Sequence, residues 1–349
     1  MNTLISLPRL SRMRSLPAFS KILSAVSLLG VLSFANLGSA QIAATAPAKK
    51  ILFLSGPKDH GAPGRHEYVL DLKTLAESFD KATNLKGVTT QHLVGKAPTD
   101  MAAYKDVAVI VIESSSDRLE EETHPLFPPD PRLKGKQYDP ETTAFLRALN
   151  AQIKANKIGV VFIHYANWTE NSAARALYFE WTGGLWVNSV SRNPVEQWTM
   201  TPDPEAKGHP IWNGVKPWTT PEDEVFCRFM LPVDKRRTNL LVASPHVDRQ
   251  RVGAQVSSFA YQRDDGGRGF VFGGQDHRKN LALDDHRRFL LNGIAWAANI
   301  EIPAEGILSP APDVSDMTPG LPGVGGRGAG RGPAPVTPGT PAIPPAKTN

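Results

Sequence analysis

The chain has 349 residues, 41% hydrophobic and 21% charged, which excludes a disordered polyelectrolyte and a multi-span membrane protein. Lysine and arginine outnumber the acids 39 to 34, and a net charge of +5 invites a polyanion-binding reading until the charges are located. Arg9, Arg12, Arg14 and Lys21 all precede the first acid, Asp59, whereas residues 41–306 hold 32 basic and 32 acidic side chains. The body of the protein is neutral, so nucleic acid is not the expected partner.

After Lys21, residues 22–35 form an apolar run of signal-peptide length, too short for a comfortable membrane span, followed by the small residues Gly38-Ser39-Ala40. We expect a signal peptide over 1–40, cleaved after Ala40, giving a secreted or periplasmic protein with no stable membrane anchor. An uncleaved anchor is the competing reading, and the small-residue site argues against it. Residues 41–48 read as a short linker and 49–306 as one α/β domain. From 307 to 349 the chain holds ten prolines and eight glycines, a composition expected to be disordered. The Gly-flanked Arg327 and Arg331 resemble an RNA-binding tract, a role that export disfavours.

Within the domain, the continuous apolar run 51–54 predicts a buried strand, and Val69, Leu72, Leu75, Ala76 and Phe79 mark a helix starting near Gly64. Strands follow at 87–94 and 107–112, then a helix with Phe145, Leu146, Leu149 and Ile153 on one face, then a strand at 158–163. Wholly apolar strands alternating with helices imply a mainly parallel sheet covered on both faces, a flavodoxin-like doubly wound α/β fold. Residues 181–222 read as an irregular, Trp-rich insertion. Strands are then expected at 225–231, 240–243, 255–262 and 269–272, before a last helix from about Asp284 to Ala298.

In such a sheet, ligands bind outside the carboxyl ends of the strands. The glycine-rich loop after the first strand carries His60, His66 and Glu67; His164 follows the strand at 158–163; His277 follows the strand at 269–272. Imidazoles gathered at one edge suit acid–base or metal roles. Singly, each has a plainer account: Glu67 in a first helical turn, His164 as a satisfied strand-end histidine. The loop is neither Gly-x-Gly-x-x-Gly nor a P-loop, no Gly-x-Ser-x-Gly elbow occurs, and the histidine spacing is not specific for zinc. A divalent metal such as zinc, held by His and Glu, stays open. The tryptophans at 168, 181, 186, 198, 212 and 218 fit either sugar stacking or core packing. The single cysteine, Cys227, cannot form an intramolecular disulfide.

Five motifs in order carry a family likeness: Ser55-Gly56-Pro57-Lys58-Asp59-His60-Gly61 with His66-Glu67; Val161-Phe162-Ile163-His164-Tyr165-Ala166; Gly208-His209-Pro210-Ile211-Trp212-Asn213-Gly214-Val215; Glu222-Asp223-Glu224; and Gly266-Gly267-Arg268-Gly269-Phe270-Val271-Phe272 leading to His277. Over about 49–305 the chain resembles the ThuA-like (trehalose-utilisation) family. The resemblance implies a fold similar to class I glutamine amidotransferases and a place in sugar catabolism, particularly of glycosides oxidised to keto-sugars. It carries over His60, His66, Glu67, His164, Glu224 and His277 as site candidates without fixing their roles. His164 and His277 are the expected proton-transfer groups or ligands, and Glu67 the orienting partner or base. Amidotransferases place a nucleophilic cysteine where this chain has His164, so glutamine hydrolysis through a thioester is not expected. The expectation is a sugar-processing enzyme acting on a small carbohydrate; the alternatives are a non-catalytic carbohydrate-binding protein and a structural module.

Overall fold

The computed structural model describes residues 48–118, 121–122, 124–126, 140–188 and 190–319. The expected signal peptide, its cleavage site and the chain beyond 319 lie outside them. Among the described residues no helix is long and apolar enough to cross a membrane.

The elements in chain order are β1 (Lys49–Ser55), α1 (Tyr68–Asp80), β2 (Val88–Val94), β3 (Val107–Glu113), the short pair β4 (Asp117–Arg118) and β5 (Glu121–Glu122), α2 (Pro140–Ala155), β6 (Gly159–Ile163), α3 (Ser172–Thr182), β7 (Val195–Pro202), β8 (Trp218–Glu224), β9 (Arg237–Pro245), β10 (Gln255–Gln262), β11 (Arg268–Phe272) and α4 (Asp284–Ala297). One nine-stranded sheet runs in the order β2-β1-β3-β6-β11-β10-β9-β7-β8. Its first five strands are mutually parallel and follow the 2-1-3-4-5 order of doubly wound folds. The other four extend it antiparallel.

The sheet is therefore mixed, not mainly parallel. The reason lies partly in the connections. Only residues 263–267 separate β10 from β11, with Gly266 at φ +85°, and a link that short makes a hairpin, whereas a parallel crossover needs a dozen residues or more. Residues 181–222 are likewise no irregular insertion, since β7 and β8 belong to the sheet. The strand expected at 225–231 is displaced to 218–224, and 225–231 contributes only isolated bridges through Cys227 and Met230.

Period-two alternation divides the core. Ile51, Phe53, Val109, Val111, Val161, Ile163, Phe270 and Phe272 point to the face that α1 and α4 cover. Leu52, Leu54, Ile110, Ile112, Val160, Phe162 and Val271 point to the face of α2 and α3. Both faces of the central strands are thus buried, which is why those strands read as unbroken apolar runs. The tryptophans join the same packing: Trp181 and Trp198 are fully buried, and Trp168, Trp186 and Trp218 nearly so.

Order does not stop at residue 306, as composition implied. Ile307 is buried, its N–H donates to Asn292, Asp316 pairs with Arg278, and the Thr318 N–H donates to Glu67. Residues 307–319 lie on the domain because these polar contacts offset the entropy that their proline-rich composition would otherwise leave free.

Candidate functional site

The site forms at the carboxyl ends of β1, β6, β8 and β11. Gly61 (φ +88°) and Gly64 (φ +82°) bend the loop after β1, and a Cβ on Gly61 would stand 2.8 Å from His66 Cδ2. Backbone bonds then clip this loop to the one after β11: the His66 N–H donates to the Asp276 carbonyl and the Arg278 N–H to that of Gly64, both at 2.9 Å. The buried Asp223 carboxylate, near the end of β8, accepts the N–H groups of Gln275, Asp276 and His277 at 3.0 to 3.1 Å. Burial raises its pKa to about 8 even against those three donors. Three separate segments are thus held in register by two backbone bonds and one buried carboxylate.

His66 (φ +53°), His164 (φ +52°) and Gln275 (φ +82°) all occupy the left-handed region. Strained non-glycine backbone of this kind persists where the surroundings over-determine it, commonly at functional sites. His164 turns sharply out of β6, directly after the last strand residue, Ile163. Cys227 is buried in the core, where burial pushes its thiol up to about 12, so it supplies no nucleophilic thiolate.

His66, His164, Glu224 and Asp276 each offer a nitrogen or oxygen within 4.8 Å of those of the others, and all four are buried. His66 Nε2 lies 3.1 Å from Asp276 Oδ1 and 3.9 Å from Glu224 Oε2. His66 Nδ1 shares a hydrogen bond with the Tyr68 hydroxyl at 3.2 Å. His164 Nδ1 can only donate to the Gly273 carbonyl, at 3.1 Å, so Nδ1 carries the proton and the lone pair resides on Nε2, which has no hydrogen-bond partner among the described residues. Burial holds His66 well below the ordinary imidazole pKa and His164 at about 4, so both rings are neutral. Arg65 ties the carboxylates together, with Nε donating to Asp276 at 2.6 Å and Nη2 to Glu224 at 2.7 Å; Asn193 donates to the other Glu224 oxygen. Burial, with Asp276 adding to it, raises Glu224 despite Arg65.

His60 stands over this cluster, its ring centroid 4.1 Å from that of His66 and its side chain 27% exposed at the mouth. Asp59 accepts from His60 Nδ1 at 2.6 Å and from the Ser115 hydroxyl at 2.6 Å, which directs His60 Nε2 away from the carboxylate. From His60 a series of buried rings continues: Tyr165 lies 5.4 Å from His60 and 5.1 Å from Trp168, which is 4.5 Å from Trp186. Beside that tryptophan pair lies an open cleft of about 420 Å³ lined by Glu170, Arg175, Val187 and Asn188. A second cleft, of about 390 Å³, sits at the amino ends of β6 and β11, where Arg236 and Arg263 are already paired with Asp234 and Asp265.

Of the residues singled out by sequence, His60, His66, His164 and Glu224 come together. His277 falls at the edge, within reach of Asp223 and Asp276, with its Nε2 3.7 Å from Glu222. Glu67 faces elsewhere: Lys58, the Gly64 N–H and the Thr318 N–H bind its carboxylate, and these donors hold its pKa low against the opposing effect of burial. It clasps the glycine loop to the chain's later segment. Sequence reasoning missed Asp59, Arg65 and Asp276, each adjacent to a histidine it had chosen. It also missed Glu113, a fully buried acid closing β3, whose signal was an acid directly after a six-residue apolar run.

Residues 134–297 match the family model for ThuA, described as trehalose utilisation. That segment contains His164, Glu224 and Asp276 but not His66 or His60, and it is shorter than the span over which the motifs were read. Two crystal structures of proteins described as ThuA-like are similar to this chain. The one from Bacteroides uniformis is 16% identical, with TM-score 0.49, covering 73% of this chain and 93% of its own. The one from Parabacteroides merdae is 15% identical, with TM-score 0.48, covering 75% and 97%. A Thermoplasma acidophilum protein described as a GMP synthase subunit is 13% identical, with TM-score 0.35, covering 73% and 96%. No curated protein sequence matches the chain. Over residues 134–297, just under half of its length, the chain is similar to the ThuA family.

Proposed function

We propose that this is an exported enzyme of carbohydrate catabolism that transfers protons on a keto-sugar or glycoside. The observation that carries the reading is the Asp59–His60 pair set at the mouth of a buried His66, His164, Glu224 and Asp276 cluster. Asp59 fixes the tautomer and orientation of His60, leaving Nε2 to take a proton from a bound substrate, and the carboxylate stabilises the imidazolium that forms. A sugar carbonyl acidifies the neighbouring C–H, so removal of that proton is the step such a base serves. The neutral charge balance of residues 41–306 favours an uncharged ligand.

The test is solvent-deuterium exchange beside the carbonyl of a keto-glucoside, followed by NMR together with product formation. The parent protein should exchange; Asp59→Asn and His60→Ala should lose about 10² or more of that rate while still folding. Saturable thermal stabilisation by the sugar, with neither exchange nor product, would refute the enzymatic reading in favour of a carbohydrate-binding protein.

A further inference from the structure

We propose that His66, His164, Glu224 and Asp276 form a binding site for one divalent first-row transition cation, of which zinc is the probe. The inference deepens the proposed function, since it uses the floor of the same site, but cation binding can be read without any turnover.

Unmatched lone pairs converge in this cluster. His164 Nε2 is completely buried, deprotonated by the bond its Nδ1 makes to Gly273, and has no hydrogen-bond partner among the described residues. Asp276 Oδ1 is equally buried and has no hydrogen-bond partner among the described residues, and His66 Nε2 stands 3.1 Å away from it. Acceptors converging in a buried space are costly to one another and to the fold unless something positive stands between them. Metal–nitrogen and metal–oxygen bonds of about 2.0 to 2.2 Å put the ligand atoms of one ion about 3 to 4 Å apart. The 3.1 Å and 3.9 Å separations from His66 Nε2 to Asp276 and Glu224 fall in that range.

The surrounding bonds have the pattern that orients ligands. Each ligating imidazole spends its other nitrogen on a fixed partner, Gly273 for His164 and Tyr68 for His66. Each carboxylate is held by Arg65, which disperses charge without occupying Asp276 Oδ1. Two imidazoles with two carboxylates select a first-row transition ion over calcium or magnesium, which favour all-oxygen shells.

The experiment is titration of zinc, with calcium and magnesium in parallel, into chelator-treated full-length protein, followed by calorimetry and thermal stability, with cobalt absorption as a second reading of the ligand field. The expected result is one equivalent of zinc with saturable stabilisation, at least about 100-fold weaker in His164→Gln and in Asp276→Asn, and unchanged in the surface variant His246→Gln. Tyr68→Phe leaves all four donors in place and should weaken zinc by about tenfold, which decides the matter should either ligand variant fail to fold. Absence of saturable zinc binding in the folded parent overturns the proposal, as does an affinity unmoved in the folded variants. Deuterium exchange that persists in metal-free protein with no zinc binding removes the metal site and leaves the proton-transfer reading. Zinc binding without exchange does the reverse.

Discussion

Glu113 closes β3 between Ser55 of β1 and Ile163 of β6, directly beneath the site, and neither of its carboxyl oxygens has a hydrogen-bond partner among the described residues. Burial raises its pKa well above the ordinary value, Asp71 adding to the shift and Arg278 opposing it. In the unfolded chain the same group ionises near about 4.3. Above that pH the native state holds a proton that the unfolded state has released, so stability falls as pH rises, by about 1.4 kcal/mol per pH unit, until the folded carboxyl itself ionises. Glu113→Gln keeps the shape and removes the proton. Any cost of burying the amide is independent of pH, so the readout is the slope. Between about pH 5 and about pH 7 the variant should gain roughly 2 to 3 kcal/mol on the parent, measured as the change with pH in the difference of their urea-unfolding free energies. Parallel stability curves for the two proteins across that window would refute a neutral buried Glu113.

Asp223→Ala removes the acceptor for three buried N–H groups and should cost about 3 to 5 kcal/mol by denaturant unfolding, whereas loss of a single ordinary hydrogen bond would cost about 1. His286 is fully buried, its Nε2 2.7 Å from Gln275 Oε1, and burial lowers its pKa to about 3. Its neutral form stabilises the fold above the unfolded pKa of about 6.5, and that contribution falls away as pH drops toward 3, by about 1.4 kcal/mol per unit; His286→Gln should flatten the acid limb of the stability curve. Arg278 bridges the buried Asp71 and the exposed Asp316, so Arg278→Ala should cost about 3 to 5 kcal/mol and Asp316→Ala no more than about 1. Equal effects of the two substitutions in thermal unfolding would contradict that assignment of the load.

How much of this was legible in the sequence depended on what each residue's neighbours were. β1, β3 and β6 are buried on both faces, so their apolar runs announce them without further context. α3 escaped although its signals were local: Asn171 caps the Ala173 and Ala174 N–H groups, and Gly183 takes the left-handed stop. β8 escaped for a different reason, since it is the terminal strand of the sheet and its sequence, Trp-Thr-Thr-Pro-Glu-Asp-Glu, carries a proline that only an edge tolerates. The histidines of the site were readable because a strand end is a place that periodicity can locate. Of their carboxylate partners, Glu224 entered only through the family resemblance and Asp276 not at all, because the two stand 52 positions apart and are joined by Arg65 and by the three N–H bonds that Asp223 accepts.

The sequence by itself determined the neutral body, the alternation of buried strand and helix, and the edge of the sheet to which the histidines are carried, since each of these follows from charge totals and from short-range periodicity. Tertiary structure alone decided that half the sheet is antiparallel, that the tryptophans are packing rather than a surface, and that Glu67 clasps a loop while Asp59, Arg65 and Asp276 organise the site. Those outcomes turn on pairing between segments as much as two hundred residues apart, as Arg65 and Asp276 are. Such pairing has no periodic trace in the chain, because it is selected by the register of strands and by which buried acceptors can find a donor.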